Sequence, residues 1–312
     1  MPFYTPIHHH HCERERDMGV RMVFRMFLLF ASIKAFVQGA GLAKESCKAS
    51  CGNVEIPYPF GIRAGCYLND WFAIDCNSSS SSSKLFLRSF NRLEVLNFSL
   101  QGTVLVTLPI FSICPGEVKA VSMNLTGSPF VFSQSANRFV AVGSNNFVSI
   151  WNASDNTVIG GCMSICQNEA VVTTNGSSCN GINCCQTLIP PDLSVFIATI
   201  YKLNPAQSYG EIPGCKYSFL VAQEWLDVNS IDPSQLKNMP NLPVVLDWGL
   251  SATDISLVMG INLSNNTSTY LCANRSKSTG NMSFTFTCSC KQGFQGNPYL
   301  PQGCTGKLLA VY

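Results

Sequence analysis

Cysteine content is the feature that most constrains what this chain can fold into. Fifteen cysteines lie between Cys47 and Cys304, whereas all four histidines, His8 to His11, precede an apolar N-terminal stretch. A cysteine-rich chain that enters a secretory route pairs its thiols, because an oxidising lumen favours disulfides. If the N-terminal stretch is removed, no histidine remains. That loss excludes a His-dependent triad, a His general base and a His-ligated zinc site.

Residues 1–43 are interpreted as a leader followed by a signal sequence. A basic region precedes the apolar run Met26 to Val37, and the small residues of Gly41 to Ala43 favour cleavage near Lys44. The run is shorter than the about 20 apolar residues that a transmembrane helix needs. The sequence therefore predicts a secreted protein, and an uncut signal anchor is the alternative.

The charge of the remaining chain is balanced, with 15 basic and 15 acidic side chains after residue 43. Nucleic-acid binding needs a concentrated basic face, so this balance argues against it. The sequence also contains ten Asn-x-Ser/Thr sequons, which predict a heavily glycosylated surface. Asn265 and Asn266 overlap, and only the first is retained as a site. The predicted glycosylation sites are Asn77, Asn97, Asn124, Asn152, Asn175, Asn262, Asn265, Asn274 and Asn281.

The hydrophobic pattern has mostly period two and predicts a mainly β fold. Apolar residues alternate before and after Gly102, which indicates a hairpin, and shorter runs indicate further strands. Pro233 to Met239 is the best helix candidate, with Asp232 as its cap. The length of the chain favours two small cores over one. The further predicted strands are 139–142, 171–174, 195–201, 244–248 and 282–286.

Five separated motifs follow one another along the chain. They are Cys47-x3-Cys51-Gly52-Asn53-Val54-x-Ile56-Pro57-Tyr58-Pro59-Phe60-Gly61; Asn137-Arg138-Phe139-Val140-Ala141-Val142-Gly143; Gly160-Gly161-Cys162-x3-Cys166 with Cys184-Cys185; Val244-Val245-Leu246-Asp247-Trp248; and Cys288-x-Cys290-x2-Gly293-Phe294-x-Gly296-Asn297-Pro298-Tyr299. In this order they resemble the ectodomain of plant wall-associated receptor kinases, from a galacturonan-binding domain to the last part of an EGF-like module.

The resemblance implies small disulfide-rich, glycosylated β domains without a kinase. It divides the chain into a leader and signal peptide (1–43), a galacturonan-binding-like domain (47–116), a C-terminal-like β domain of this family (117–262) and a partial EGF-like module (263–312). The loops and lysine that phosphoryl transfer needs are absent from the sequence. The disulfide candidates are Cys47, Cys51, Cys66, Cys76, Cys114, Cys162, Cys166, Cys179, Cys184, Cys185, Cys215, Cys272, Cys288, Cys290 and Cys304.

One position departs from the family pattern. Ser144 occupies the place where the family usually has a cysteine, which leaves one of the fifteen cysteines without a partner. Proximity along the chain suggests Cys114 or Cys162 as the unpaired residue. The adjacent Cys184 and Cys185 are expected to reach different partners, because a bond between neighbouring cysteines is strained.

The ligand that the resemblance implies is de-esterified galacturonan, a polyanion. Its carboxylates call for guanidinium or ammonium groups, with arginine favoured for its two-pronged geometry. The candidate binding residues share positive charge and lie in or near the first domain: Lys84, Arg88, Arg92, Lys119 and Arg138. A strand shared by Lys84, Arg88 and Arg92 would present all three on one face, although such a run is also typical of a solvated face.

The sequence gives weaker support for sugar stacking by aromatic residues. Tyr58, Phe60 and Trp71 have the composition of a sugar-stacking set, but rigid aromatic segments beside disulfides are more often core. The same holds for Trp151, Trp225 and Trp248.

No motif singles out a pair of carboxylates for glycoside hydrolysis among Glu211, Glu224, Asp227, Asp247 and Asp254. No catalytic residue, resident metal or cofactor is predicted, and calcium enters only as an ion that could bridge pectin chains.

The leading hypothesis is a non-catalytic ectodomain that binds cell-wall pectin outside a plant cell. The main alternative is an interaction protein, a soluble decoy that binds receptor ectodomains or a peptide. A truncated gene model of a longer receptor is a third interpretation of the residues after Cys304. Membrane association would then require an uncut signal anchor or a C-terminal part beyond this sequence.

Overall fold

The structure of the chain is a computed structural model. It describes residues 41–78, 83–90, 93–114, 117–119, 121–143, 145–151, 157–165, 174–175, 179–202, 215–231, 233–259, 269–275, 285–301 and 303–306. The leader, the apolar run of the predicted signal sequence and the C-terminal six residues lie outside these ranges.

Strands dominate the described residues, as the period-two pattern predicts. In chain order the elements are β1 (Ser50–Cys51), β2 (Val54–Glu55), a 3₁₀ turn (Asp70–Phe72), β3 (Ile74–Ser78), β4 (Ser83–Leu87), β5 (Leu93–Ser99), β6 (Thr103–Pro109), β7 (Phe111–Cys114), β8 (Glu117–Lys119), β9 (Ser122–Asn124), β10 (Phe130–Phe132), β11 (Asn137–Val142), β12 (Asn146–Trp151), β13 (Val158–Ser164), β14 (Thr174–Asn175), β15 (Cys184–Thr187), β16 (Val195–Lys202), β17 (Lys216–Ala222), α1 (Gln223–Val228), β18 (Ser230–Ile231), α2 (Pro233–Leu236), β19 (Asn241–Trp248), β20 (Leu250–Ser251), α3 (Ala252–Met259), β21 (Tyr270–Arg275), β22 (Thr285–Cys290), β23 (Phe294–Gly296) and β24 (Cys304–Gly306).

Antiparallel pairing joins these strands into sheets that cross the predicted domain boundaries. A six-stranded sheet has the order β10-β19-β6-β5-β4-β3, and a five-stranded sheet has the order β15-β11-β17-β7-β8. Smaller sheets have the orders β13-β12-β16-β9 and β20-β22-β21. Strands β10 and β19 follow residue 116 in sequence, yet they extend the sheet that β3 to β6 begin. The predicted boundary at 116/117 therefore does not separate one sheet from another.

The hydrophobic core follows from strict alternation along the strands. On β19, Leu242, Val244, Leu246 and Trp248 are buried and the residues between them are not. Each fully buried side chain of this kind stabilises the fold by about 1.5 to 3 kcal/mol. The described residues form two buried apolar clusters, and the larger contains Phe60, Trp248 and Tyr299, which belong to three predicted segments. Two clusters agree with the expectation of two cores, but the larger cluster is shared by segments of three predicted domains because long-range strand pairing joins them.

Aromatic residues of three recognised motifs meet in this larger cluster. The Trp248 ring lies 5.3 Å from the ring of Phe60 and 5.3 Å from that of Tyr299, between ring centroids. Phe72 lies 5.9 Å from Trp248, and the indole nitrogen of Trp248 donates a hydrogen bond to the Thr103 carbonyl at 3.1 Å. Such ring pairs contribute about 0.5 to 1.5 kcal/mol beyond their buried area. The motifs therefore specify a shared core.

Two buried asparagines, each from one of the five motifs, join segments that are distant in the sequence. The Asn137 side chain donates to the Val245 carbonyl at 2.7 Å and accepts from the Val245 amide at 2.9 Å. The Asn297 side chain donates to the carbonyls of Leu42 at 2.6 Å and Tyr58 at 2.7 Å. Because an amide group can donate and accept together, each asparagine side chain bonds backbone groups of a segment that is distant in the sequence.

Seven disulfides fix the described residues. Cys184 and Cys185 bond different partners, as predicted. The suggestion that Cys114 or Cys162 is unpaired was wrong, because both are bonded; the remaining cysteine, Cys166, and Ser144 lie outside the described residues. The pairs are Cys47–Cys66, Cys51–Cys76, Cys114–Cys215, Cys162–Cys185, Cys179–Cys184, Cys272–Cys288 and Cys290–Cys304.

Helices are few but exceed the single predicted one. The predicted helix begins at Pro233 and ends at Leu236, earlier than expected, and its proposed cap, Asp232, lies outside the described residues. Helices α1 and α3 were not predicted. Helix α3 begins with a reciprocal cap, because the Ser251 hydroxyl accepts from the Asp254 amide at 3.1 Å and the Ser251 amide donates to the Asp254 carboxylate at 3.3 Å.

Candidate functional site

The five candidate cations belong to two different sheets. Lys84 lies on β4 and Arg88 directly follows that strand, so both belong to the six-stranded sheet. Arg138 on β11 and the backbone of Lys119 on β8 belong to the five-stranded sheet. Arg92 lies outside the described residues. The structure therefore brings Lys84 and Arg88 together and keeps them in a different sheet from Arg138 and Lys119.

The hypothesis that Lys84, Arg88 and Arg92 share a strand was wrong. Strand β4 ends at Leu87, and β5 begins at Leu93. The main-chain amide of Phe90 donates to the carbonyl of Leu87 at 3.4 Å, in a turn that ends the extended run. The even spacing holds only for Lys84 and Arg88.

Alternation along β4 places these two cations on one face. Leu85 and Leu87 are buried in the larger apolar cluster, whereas Lys84 and Arg88 are exposed and Phe86 is half-buried between them. Successive side chains on a strand point to opposite faces. We call the face that carries Lys84, Phe86 and Arg88 the outer face of the six-stranded sheet. Lys84 and Arg88 are four residues apart, about 13 Å along an extended chain.

Each cation of the outer face has a carboxylate partner on a neighbouring strand. The Lys84 ammonium lies 2.9 Å from a carboxylate oxygen of Glu94 on β5, and the Arg88 guanidinium lies 2.9 Å from one of Asp75 on β3. Both carboxylate residues are register partners of Phe86. The side chains of Lys84 and Arg88 remain 54% and 45% exposed. Pairs this exposed contribute only about 0 to 1 kcal/mol, so an anionic ligand can replace the carboxylates at small cost.

Arg88 connects the outer face to the loop closed by the Cys47–Cys66 disulfide. Its guanidinium donates to the Ile62 carbonyl at 3.2 Å and lies 5.9 Å from the centre of the Tyr67 ring, within cation–π range. The hydrogen bond to Asp75 raises the pKa of Arg88 above its ordinary value, so the group remains charged. Arg63 is exposed in the same loop, next to Ile62.

Arg63 was not among the residues predicted from the sequence. It follows Ile62, whose carbonyl accepts from Arg88, and it lies in the loop that the Cys47–Cys66 disulfide closes. Lys44 contacts the same loop, with its ammonium 2.9 Å from the Gly65 carbonyl and 5.9 Å from the Tyr58 ring. This loop therefore has two exposed cations besides its contact with Arg88.

The other predicted cations, Arg138 and Lys119, are not grouped with Lys84 and Arg88 on the outer face. Arg138 is half-buried, and its guanidinium donates to the carbonyl of its neighbour Asn137 at 2.8 Å. Lys119 is a register partner of Ser112 at the edge of the five-stranded sheet, and only its backbone is described. Neither residue shares a sheet with Lys84.

The aromatic residues considered for sugar stacking are mostly core residues. Phe60 and Trp248 are 1% exposed, and Tyr58 is 8% exposed. Burial raises the pKa of Tyr58, with a smaller contribution from the charge of Asp254. Trp71 is half-buried and stacks on Phe90 with 5.6 Å between ring centroids. The core interpretation therefore holds for most of these rings, whereas Phe86 on the outer face and Tyr67 beside Arg88 are aromatic side chains near exposed cations.

Two of the carboxylates that were considered for hydrolysis, Asp254 and Asp227, have structural partners. Asp254 belongs to the cap of α3 and also accepts from the Asn69 side chain at 3.3 Å. Asp227 accepts from Gln223 within helix α1 at 2.6 Å. Glu211 lies outside the described residues. Within the described ranges, no three His, Cys, Asp or Glu side chains cluster in a way that would hold a metal ion.

The sequons that can be examined are all at the surface. Asn77, Asn97, Asn124 and Asn274 are exposed, as a used glycosylation site requires. Asn175 is described only by its backbone, on β14, and the remaining predicted sites, Asn152, Asn262, Asn265 and Asn281, lie outside the described residues. In the part of the chain that the structure covers, no helix has the length and apolar character needed to cross a membrane.

Comparison with protein families identifies two segments. Residues 47–108 match the family described as wall-associated receptor kinase galacturonan-binding, and residues 176–257 match the family described as wall-associated kinase. The first match contains Lys84, Phe86 and Arg88. The fold and the matched segments together define a disulfide-linked β protein with a galacturonan-binding domain.

Relatives from Arabidopsis thaliana give the same assignment. The chain is 31% identical to wall-associated receptor kinase 2 over 85% of its own length and 35% of the relative. It is 32% identical to wall-associated receptor kinase 4, over 92% of its own length and 38% of the relative. No solved structure gives a significant match. The chain therefore contains two domains of the wall-associated receptor kinase family, and it spans about a third of the length of these relatives.

Proposed function

We propose that this chain binds de-esterified galacturonan in the plant cell wall through the outer face of β3, β4 and β5. One observation carries the proposal: Lys84 and Arg88 lie exposed on one face, with Phe86 between them, inside the segment that matches the galacturonan-binding family. The relatives are named wall-associated receptor kinases, which supports an extracellular location.

Binding on this face would proceed by exchange of ion pairs. A galacturonate carboxylate would take the place of Asp75 at the Arg88 guanidinium, and another would take the place of Glu94 at Lys84. These two ion pairs have no net charge, so the exchange is favoured by the large number of carboxylates that the ligand offers. Arg88 can hold a carboxylate through two parallel N–H donors while Tyr67 and the Ile62 carbonyl restrict its orientation. The exposed pairs cost little to open, and this low cost makes the face suited to a polyanion.

Phe86 adds a contact that charge alone does not provide. It lies two residues from each cation and is half-buried, so its ring covers apolar surface between them. A sugar ring presents an apolar C–H side that packs on an aromatic ring. The loop that accepts a hydrogen bond from Arg88 also has two further exposed cations, Arg63 and Lys44. No catalytic step is assigned to this face.

The experiment compares pectins of different charge. De-esterified oligogalacturonide should bind the purified chain, methyl-esterified oligomer should bind more weakly, and rising salt should weaken binding because exposed charges are screened over about 8 Å at physiological ionic strength. Calorimetric titration without and with chelator would show whether calcium contributes. Absence of binding by correctly folded protein would overturn the proposal, and binding that is unchanged by salt would overturn the ionic mechanism.

A further inference from the structure

Two predicted glycosylation sites lie on the outer face itself. Asn77 on β3 is the register partner of Lys84 on β4. Directly opposite residues on antiparallel strands share a face, with Cβ atoms about 5 Å apart. Asn77 is exposed, so its side-chain amide is open to modification beside the Lys84 ammonium. The second site, Asn97 on β5, is the partner of Leu105 on β6.

We infer that an N-linked glycan on Asn77 restricts access to the Lys84 end of the galacturonan-binding face. This inference rests on the proposed function. The side-chain nitrogen of Asn77 would bond to the anomeric carbon of an oligosaccharide donated by a lipid diphosphate. The lipid diphosphate is the leaving group, and the amide loses one proton. The sequon Asn77-Ser78-Ser79 meets the requirement for this transfer.

The geometry gives the glycan a direct effect on the ligand. A glycan is bulky and hydrophilic, and its first sugar would begin about 5 Å from the Lys84 side chain. Lys84 and Arg88 are about 13 Å apart along β4. A galacturonan chain that contacts both of them therefore comes close to the glycan at its Lys84 end, because Asn77 lies directly opposite Lys84. Arg88, at the other end, is the neighbour of Asp75 on β3, two residues before Asn77. The glycan therefore hinders the Lys84 contact more than the Arg88 contact.

The chain offers a matched control for this effect. Asn124 is also an exposed sequon asparagine, but it lies on β9 at the edge of the four-stranded sheet, with Val195 as its register partner. Its amide oxygen accepts a hydrogen bond from the Thr126 amide at 2.8 Å. A glycan there lies on a different sheet from Lys84, so its removal should not change oligogalacturonide binding.

The test uses the full chain produced in plant cells, with occupancy of each sequon measured by mass spectrometry. Binding of a de-esterified oligogalacturonide would be compared for wild type, Asn77→Gln, Ser79→Ala and Asn124→Gln. Both variants that lose the Asn77 sequon should bind about three- to tenfold more tightly, the range expected when one charge-assisted contact becomes available. Asn124→Gln should bind like wild type.

The outcomes separate this inference from the function on which it rests. If Asn77 has no glycan in the wild type, the inference is wrong while pectin binding stands. The same conclusion follows if Asn77 has a glycan but all four proteins bind the oligogalacturonide with equal affinity. If Asn77→Gln and Ser79→Ala disagree, the side chain of Asn77 rather than its glycan is responsible, and the inference is again wrong. If no form binds, including the variants without the glycan, the proposed function itself fails and the inference fails with it.

Discussion

Trp248 and Phe86 lie on opposite faces of the same six-stranded sheet, and their surroundings differ in kind. Trp248 is almost completely buried and packs against rings from two other motifs. Phe86 is half-buried between two exposed cations that have carboxylate partners. Apolar burial on the inner face stabilises the fold strongly, whereas exposed ion pairs on the outer face contribute little to stability. The comparison suggests that the family motifs specify the fold and that the outer face is free to bind a ligand.

The largest effect should come from the inner face. Trp248→Ala removes a side chain that contacts Phe60, Phe72 and Tyr299, and it should lower the free energy of unfolding by about 3 to 5 kcal/mol. Denaturant unfolding with intact disulfides measures this change. Trp225→Ala on α1 is the matched control, because Trp225 is only half-buried. Equal losses in the two variants would show that the ring cluster is not the centre of the core.

The substitution Ser144→Cys should stabilise the fold without changing the six-stranded sheet or its outer face. Seven disulfides use fourteen cysteines, so the fifteenth, Cys166, should be a free thiol that forms some covalent dimer on non-reducing gels. Ser144→Cys should pair with Cys166, abolish the dimer and add roughly 2 to 4 kcal/mol to stability. Pectin binding should not change.

Thiol titration and denaturant unfolding check this prediction together. Ser144→Ala is the control, because it alters the same position without a thiol. A wild-type monomer with no titratable thiol would contradict the count of paired cysteines. A Ser144→Cys variant that dimerises more than wild type would contradict the assigned partner.

The buried asparagine that joins the C-terminal motif to the N-terminal one should have an intermediate effect. Asn297→Ala leaves the Tyr58 carbonyl without its side-chain donor and removes one of two donors to the Leu42 carbonyl, which should cost about 1 to 3 kcal/mol of stability. Asn238→Ala, at an exposed position after α2, should change stability by less than about 0.5 kcal/mol. Comparable unfolding midpoints for the two variants would argue against the role of Asn297.

The smallest effect on stability should come from the outer face. Lys84→Ala and Arg88→Ala each break one exposed ion pair, so the free energy of unfolding should fall by no more than about 1 kcal/mol. Thermal and denaturant unfolding of both variants would measure it. A loss comparable to that of Trp248→Ala would mean that these cations hold the sheet together rather than serve a ligand.

The strands could be predicted from the sequence because alternation is a local signal. The hairpin around Gly102 corresponds to β5 and β6, and the run at 244–248 lies within β19. The pairing of β19 with β6 could not be predicted, because it joins segments that are more than a hundred residues apart and depends on register. That pairing brings residues of different predicted domains into the larger apolar cluster.

Helix α3 and the candidate site also show what the sequence alone could and could not predict. Helix α3 is short, and its clearest signal was the reciprocal cap of Ser251 and Asp254, a four-residue pattern that the sequence contains. The common face of Lys84 and Arg88 follows from their even spacing. Their partners Asp75 and Glu94 depend on the register of three strands, which no local pattern encodes.

The most direct test of the account is oligogalacturonide binding by Lys84→Ala/Arg88→Ala, measured by calorimetric titration on protein whose fold is confirmed by circular dichroism. Two lost charge-assisted contacts should weaken binding at least about tenfold and should flatten its dependence on salt. Lys237→Ala, an exposed cation after α2, is the charge-matched control and should bind like wild type. Wild-type affinity in the double variant would contradict the assignment of the outer face as the binding surface.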